Sequence, residues 1–148
     1  MYYKHILVPT DGSPLSGRAV TEAIAFAKDS GARITFFHAQ KAFQEIYFGP
    51  GVIFDSNAPA QFREIQGSLA NDILDAVEKQ AREAGIECGR LTMVCEKPYE
   101  AIIEAAKRQN CDLIFMASNA RTGIDALILG SETRQVLSRS HIPVLVYR

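Results

Sequence analysis

Short apolar runs and amphipathic segments alternate along the whole chain. Apolar or alternating runs rich in β-branched and aromatic residues predict five strands, at residues 4–9, 33–39, 87–96, 113–116 and 142–147. Segments between them, with apolar residues three and four positions apart, predict helices. This order is typical of a parallel sheet with right-handed crossovers and helices on both faces. The sequence therefore predicts one α/β domain over residues 1–148, built on a doubly wound five-stranded sheet.

Two of the predicted helices have clear sequence signals at their ends. Ser13 is predicted to cap the first helix, Pro14 to begin it and Gly31 to end it. A longer amphipathic helix is predicted to end at Gly85. Its apolar positions are Phe62, Ile65, Leu69, Ile73, Val77 and Ala81.

Residues 41–60 interrupt this rhythm with glycines, prolines and several aromatic residues. A connection this long within a compact domain is usually a functional loop or a mobile flap. Two interpretations of its aromatic residues remain open: they cover a ligand or partner, or they lie on the surface of their own domain. These residues are Phe43, Tyr47, Phe48 and Phe54.

Composition and charge exclude several classes of protein. Hydrophobic residues make up 47% of the 148 positions, which is too apolar for an intrinsically disordered chain. The formal net charge is −1, without any block of like charges, which argues against a nucleic-acid or anionic-membrane partner. No apolar run approaches the roughly 20 residues of a membrane span, and the first residues do not form a signal peptide. We therefore expect a soluble, cytoplasmic protein.

Cysteine and histidine do not form a metal-binding or disulfide pattern. The three cysteines form no C-x-x-C pair, and the three histidines are scattered. We expect Cys95 and Cys111 to be unreactive because they lie in apolar strands. His38 falls near the predicted end of the second strand, where it either contacts a ligand or makes a hydrogen bond within the fold.

In doubly wound sheets, ligands bind beside the carboxyl ends of the strands, which points to residues 9–13, 39–41 and 117–133. Neither G-x-G-x-x-G nor G-x-x-x-x-G-K-[ST] occurs, so these segments lack the usual dinucleotide and P-loop motifs. Gly130 and Ser131 at a helix N-terminus, with Thr133 one turn further on, form either an anion cradle or an ordinary cap. Asp11 either holds Mg²⁺ on phosphate oxygens or makes a turn with its own backbone.

Several separated motifs together resemble the universal stress protein family, in order and in spacing across the whole chain. They are Ile6-Leu-Val-Pro-Thr-Asp-Gly-Ser13, Cys111-Asp-Leu-Ile-Phe-Met116, Arg121-Thr-Gly123, Leu127-Ile-Leu-Gly-Ser131 and Ile142-Pro-Val-Leu-Val146. The resemblance implies a five-stranded α/β domain that is usually a homodimer, often paired through its last strand, here Val144, Leu145, Val146 and Tyr147. It also implies ATP or AMP binding between strands one and four, with Mg²⁺ on Asp11 when nucleotide is bound.

Carried across by matching motifs, the resemblance assigns a set of residues to the nucleotide. These are Pro9, Thr10, Asp11, Ala39, Met116, Ala117, Ala120, Arg121, Gly130, Ser131, Glu132 and Thr133. Ala117 and Ala120 stand where the family signature has glycines. If glycine served there for positive φ, an alanine would cost about 1–2 kcal/mol and weaken binding roughly five- to thirtyfold. If it served for close approach, each methyl group occupies space that the phosphates need. Glu132 complements the helix dipole that a phosphate would use.

Three functional hypotheses follow. The first is a dimeric stress-response protein that acts by association and is regulated by weak ATP or AMP binding. The second is a dimeric scaffold without nucleotide, which meets an unidentified protein partner. The third is a slow metal-dependent ATPase that uses Asp11, with Arg121 as the obvious candidate cation and no evident general base.

Overall fold

The computed structural model describes residues 3–44, 57–118 and 129–148. The strands are β1 (His5–Pro9), β2 (Arg33–Lys41), β3 (Cys88–Cys95), β4 (Leu113–Ala117) and β5 (Val144–Tyr147). The helices are α1 (Pro14–Ser30), α2 (Ala58–Glu83), α3 (Pro98–Arg108) and α4 (Ser131–Arg139).

The five strands form one parallel sheet in the order β3-β2-β1-β4-β5, which confirms the predicted fold class. After β1 the chain builds the sheet outwards through β2 and β3. It then returns to the other side of β1 to add β4 and β5. The strand order therefore reverses between β1 and β4, and this is where doubly wound sheets leave a crevice for ligands.

Both faces of the sheet are covered by helices. Successive residues of a strand point to opposite faces, so Ile6 and Val8 of β1 belong to one apolar cluster and Leu7 to the other. Leu74 of α2 is fully buried in the first cluster. Val136 of α4 is fully buried in the second. The core thus consists of two layers separated by the sheet.

The first helix begins and ends as the sequence predicts. The Ser16 amide donates a hydrogen bond of 3.2 Å to the Ser13 hydroxyl, and Pro14 occupies the first turn. Gly31 ends the helix with a φ of 73°. A left-handed conformation of this kind favours glycine because other residues bring a Cβ too close to the backbone.

The second helix differs from its prediction in two ways. It begins at Ala58, four residues before Phe62, and its buried positions start only at Ala70. Ile65 is 64% exposed and Leu69 is 45% exposed, although both belong to the predicted apolar stripe. The helix has 26 residues and is about 39 Å long. The neighbouring nine-residue strand spans only about 30 Å, so the first turns of the helix extend past the sheet.

The predicted loop is shorter than residues 41–60. Lys41 belongs to β2, and residues 58–60 belong to α2. The rings of Phe43 and Phe62 meet edge to face with centroids 5.6 Å apart, so Phe43 packs against its own domain. Tyr47, Phe48 and Phe54 lie outside the described residues.

The last strand begins at Val144, two residues later than predicted. The Ser140 hydroxyl accepts from the Ile142 amide at 3.0 Å and donates to its carbonyl at 2.8 Å, which holds Ile142 in a turn. Pairing with β4 therefore starts at the Pro143 carbonyl, which accepts from Ile114. Within the described residues, β5 is an edge strand whose side chains are all half-buried. The helices described for this chain include none that is long and apolar enough to span a bilayer.

Candidate functional site at the carboxyl ends of the strands

A cavity of about 430 Å³ opens at the carboxyl ends of β1, β2 and β4. It lies at the strand-order reversal and is bounded on the helical side by α2, α3 and α4. Its lining comprises Pro9, Thr10, Asp11, Ser16, Phe37, His38, Ala39, Lys41, Gln66, Leu69, Pro98, Ile102, Met116, Ala117, Glu132 and Thr133. We call this space the cleft.

The structure brings together most of the residues that the resemblance assigns to a nucleotide. Those that line the cleft are Pro9, Thr10, Asp11, Ala39, Met116, Ala117, Glu132 and Thr133. Gly130 and Ser131 form the N-cap and first residue of α4, but they do not line the cleft. Ala120 and Arg121 lie outside the described residues.

The β1 side of the cleft is fixed by a small hydrogen-bonded corner. The hydroxyls of Thr10 and Ser16 are 2.5 Å apart, and the Asp11 amide donates to the Ser16 hydroxyl at 3.2 Å. The His38 ring donates from Nδ1 to the Thr10 carbonyl at 2.8 Å, which ties β2 to the same corner. His38 thus makes a hydrogen bond within the fold and still faces the cleft. Thr10, Ser16 and His38 are all buried, so this wall is preorganised for a ligand.

Asp11 makes a turn with its own backbone. Its Oδ1 atom accepts from the Ser13 amide at 2.9 Å, and Gly12 between them has a φ of 79°. The positive φ favours glycine at this position, and a Cβ there would lie 3.1 Å from the Ile73 side chain, which would have to shift slightly. Asp11 is exposed, and its second carboxylate oxygen has no hydrogen bond to the residues that the structure describes. Among the described residues, no three His, Cys, Asp or Glu side chains converge on a metal site.

Two groups predicted to cradle an anion already have partners in the protein. The Thr133 hydroxyl donates to the Ala117 carbonyl at 3.3 Å. The Gly130 amide donates to the Ser118 hydroxyl at 3.2 Å. Both bonds fasten the start of α4 to the end of β4. Ser118 is buried, and no local motif marked it as part of this connection.

Glu132 reaches across to another helix. Its Oε2 atom accepts from the Tyr99 amide at 2.8 Å, at the start of α3. The sequence placed Glu132 in the first turn of α4, which is correct, but its hydrogen bond satisfies an orphan amide of the neighbouring helix. The carboxylate therefore bridges the N-termini of two helices at the wall of the cleft.

The alanine at the end of β4 does not carry the strain considered above. Asn110 is the one non-glycine residue with positive φ in the described ranges, and Ala117 is an extended strand residue. Of the two alternatives, the conformational cost therefore does not apply to Ala117, because its backbone is extended. Ala117 lines the cleft and also belongs to the first apolar cluster, so the argument from close approach remains the open alternative there.

The predicted ligand-binding segment 39–41 includes Lys41, although the sequence indicates only Arg121 as a candidate cation. Lys41 is the last residue of β2 and lines the cleft, which makes it a second candidate cation. The position of Lys41 at a strand end was the available signal, since strand ends converge on one edge of a parallel sheet. Phe37, Gln66, Pro98 and Ile102 were missed as site residues.

The three cysteine thiols are held in their uncharged form. Burial raises the pKa of Cys111 to about 12. Burial also raises the pKa of Cys88 and of Cys95, and the negative charge of Glu132 adds to the effect at Cys95. Since the thiolate is the reactive species, these shifts agree with the expectation that Cys95 and Cys111 are unreactive.

Comparison with known proteins matches residues 2–148 to the universal stress protein family. The chain belongs to the universal stress protein family. A universal stress protein of Methanocaldococcus jannaschii is 31% identical over 147 residues, which cover 99% of this chain and 82% of that protein. The resemblance inferred from the separated motifs is thereby confirmed.

Solved universal stress proteins share the fold. One, crystallised in complex with cAMP, is 25% identical with a TM-score of 0.74, and the match covers 100% of this chain and 99% of that one. Another, from Arabidopsis thaliana with AMP bound, is 16% identical with a TM-score of 0.68. That match covers 97% of this universal stress protein and 90% of the plant protein, and it shows the fold alone.

Proposed function

We propose that this universal stress protein is a stress-response protein whose cleft binds an adenine nucleotide such as AMP or ATP. The observation that carries the proposal is the position and lining of the cleft. It lies at the strand-order reversal and is lined by most of the residues that the family motifs assign to a nucleotide. The cAMP complex of a relative with the same fold supports an adenine nucleotide as the ligand class.

The chemistry of the cleft suits the parts of such a ligand. Leu69, which is 45% exposed, and the small exposed parts of Met116 and Ile102 offer apolar surface for a flat base. Gln66 and the corner around Thr10 supply hydrogen-bonding groups for a base edge or a ribose. A phosphate would meet fewer open donors, because the Gly130 amide and the Thr133 hydroxyl bond to Ser118 and Ala117. We therefore expect binding to be weak.

Mg²⁺ enters this proposal only together with a triphosphate. Asp11 would supply one carboxylate oxygen, and phosphate oxygens and water would complete the octahedral shell that Mg²⁺ prefers. The other carboxylate oxygen of Asp11 accepts from the Ser13 amide, and this hydrogen bond holds the carboxylate in place.

Filling the cleft tests the proposal. Ala39 is half-buried on β2 and lines the cleft, so Ala39→Trp places an indole where the ligand would lie. By isothermal titration with AMP and with Mg-ATP, we expect wild-type dissociation constants of roughly 10–500 μM and at least a tenfold loss in the variant. Ala60→Trp on the exposed start of α2 is the matched control and should bind as wild type does. Undetectable wild-type binding at millimolar ligand, or unchanged binding by Ala39→Trp, would contradict the proposal.

We also propose that the chain forms a homodimer through β5. This strand is an edge of the sheet, and an apolar edge left uncovered invites pairing with another chain. Val146→Lys should weaken dimerisation at least tenfold by analytical ultracentrifugation. Val94→Lys, on the edge strand β3 at the opposite side and 58% exposed, should not. A wild-type monomer at all concentrations would refute the dimer, whereas a dimer that binds neither nucleotide would be a scaffold for a protein partner.

A further inference from the structure

The charged side chains around the cleft differ in their exposure to solvent. Among the residues that the structure describes, Asp11, Glu132 and Lys41 line it, which gives two carboxylates and one ammonium. Lys41 and Asp11 are exposed, so solvent screens both. Glu132 is half-buried, and its charge is therefore screened less. The electrostatic character of the inner wall depends mainly on Glu132.

Glu132 is fixed where it stands. Its carboxylate accepts from the Tyr99 amide at 2.8 Å, and Pro98, the residue before Tyr99, also lines the cleft. A carboxylate at a helix N-terminus is stabilised by the helix dipole as well as by the hydrogen bond. An incoming anion cannot displace it without leaving the Tyr99 amide unpaired or supplying a replacement acceptor.

The field of this carboxylate extends beyond the wall that it forms. Burial is the largest cause of the raised pKa of Cys95, and the negative charge of Glu132 is the next. Cys95 is the last residue of β3 and does not line the cleft. A ligand phosphate inside the cleft would experience the same field.

We propose that Glu132 makes the cleft discriminate among adenine ligands by charge, so that it lowers the affinity for AMP and ATP more than the affinity for a nucleoside or a singly charged nucleotide. This inference rests on the proposed function and deepens it. The N-terminus of α4 would attract a phosphate by its dipole, and the carboxylate of its second residue opposes that attraction. The exposed ammonium group of Lys41 has the opposite effect, because it attracts the phosphate.

The test measures how affinity depends on ligand charge. Adenosine, cAMP and AMP carry about zero, one and two negative charges at pH 7.5, and each is titrated into wild type and Glu132→Gln without Mg²⁺. The amide oxygen of glutamine can still accept from the Tyr99 amide, so the variant removes the charge and keeps the bond. We expect AMP affinity to rise about tenfold, cAMP affinity about threefold, and adenosine affinity to change less than twofold.

Two further variants keep the test decisive. Glu100→Gln removes the same charge from the first turn of α3, where Glu100 faces Lys97 at 3.9 Å and does not line the cleft. It should leave all three affinities within twofold of wild type. Lys41→Gln, at an exposed position, should weaken AMP several-fold relative to adenosine.

The outcomes separate the two proposals. If adenosine and AMP bind but Glu132→Gln changes neither, or changes both equally, the charge selection is wrong and the proposed function stands. If none of the three ligands binds any of the proteins at millimolar concentration, the proposed function fails and the charge selection fails with it.

Discussion

Leu74→Ala is expected to lower the free energy of unfolding by about 3 kcal/mol. Leu74 is 0% exposed on α2 and belongs to the apolar cluster that also contains Ile34 and Phe36 of β2. Truncation removes the transfer free energy of three carbon atoms and leaves a cavity that close-packed neighbours fill only in part. Urea unfolding followed by circular dichroism measures the change. An unchanged m-value would show that the variant exposes the same surface area on unfolding as the wild type.

The matched control is Leu137→Ala on α4. Leu137 is 41% exposed, whereas its neighbour Val136 is fully buried. The same truncation should cost less than about 1 kcal/mol there, because less apolar area leaves water and no closed cavity forms. Equal losses for the two variants would show that α2 is not packed on the sheet as described.

Arg90→Met is expected to lower the free energy of unfolding by about 2–3 kcal/mol. The Glu78 carboxylate is only 5% exposed and accepts from Arg90 Nε at 2.7 Å. Removing the guanidinium leaves this buried charge with Arg82, which is 65% exposed and so a weaker partner. The second ion pair of Arg90, with the exposed Asp75, adds little for the same reason.

Arg108→Met supplies the comparison for this substitution. Arg108 pairs with Glu104 at 3.0 Å, and the two side chains are 60% and 50% exposed. Breaking such a surface pair should change the free energy of unfolding by less than about 0.5 kcal/mol. A loss for Arg90→Met no larger than this control would mean that Glu78 does not depend on Arg90 in solution.

Local signals predicted the sheet and both ends of α1 because short-range interactions decide them. Ser13 and Gly31 mark the ends of α1 through a side-chain cap and a left-handed backbone, which both depend on a few neighbouring residues. The exposed half of α2 could not be predicted in this way. Ile65 and Val77 belong to the same predicted apolar stripe, and the extent of the neighbouring strand, which the periodicity does not reveal, decides that only Val77 is buried.

The candidate site was likewise only partly predictable from local signals. Thr10, Ala39 and Met116 were predictable, because parallel strands carry their last residues to one edge of the sheet. The bond from Glu132 to Tyr99 joins residues 33 positions apart, and no local pattern encodes it. The backbone of Ala117 could likewise not be predicted, since a glycine in a family signature does not reveal whether conformation or space required it.

Methyl NMR tests most directly whether the cleft holds an adenine nucleotide. The chain has three methionines, of which Met116 lines the cleft and Met93 on β3 does not. In protein labelled with ¹³C at the methionine methyl groups, titration with AMP and adenosine should shift the Met116 signal saturably and leave the Met93 signal in place. A Met116 signal that stays unmoved at millimolar ligand, or a shift confined to Met93, would contradict the account.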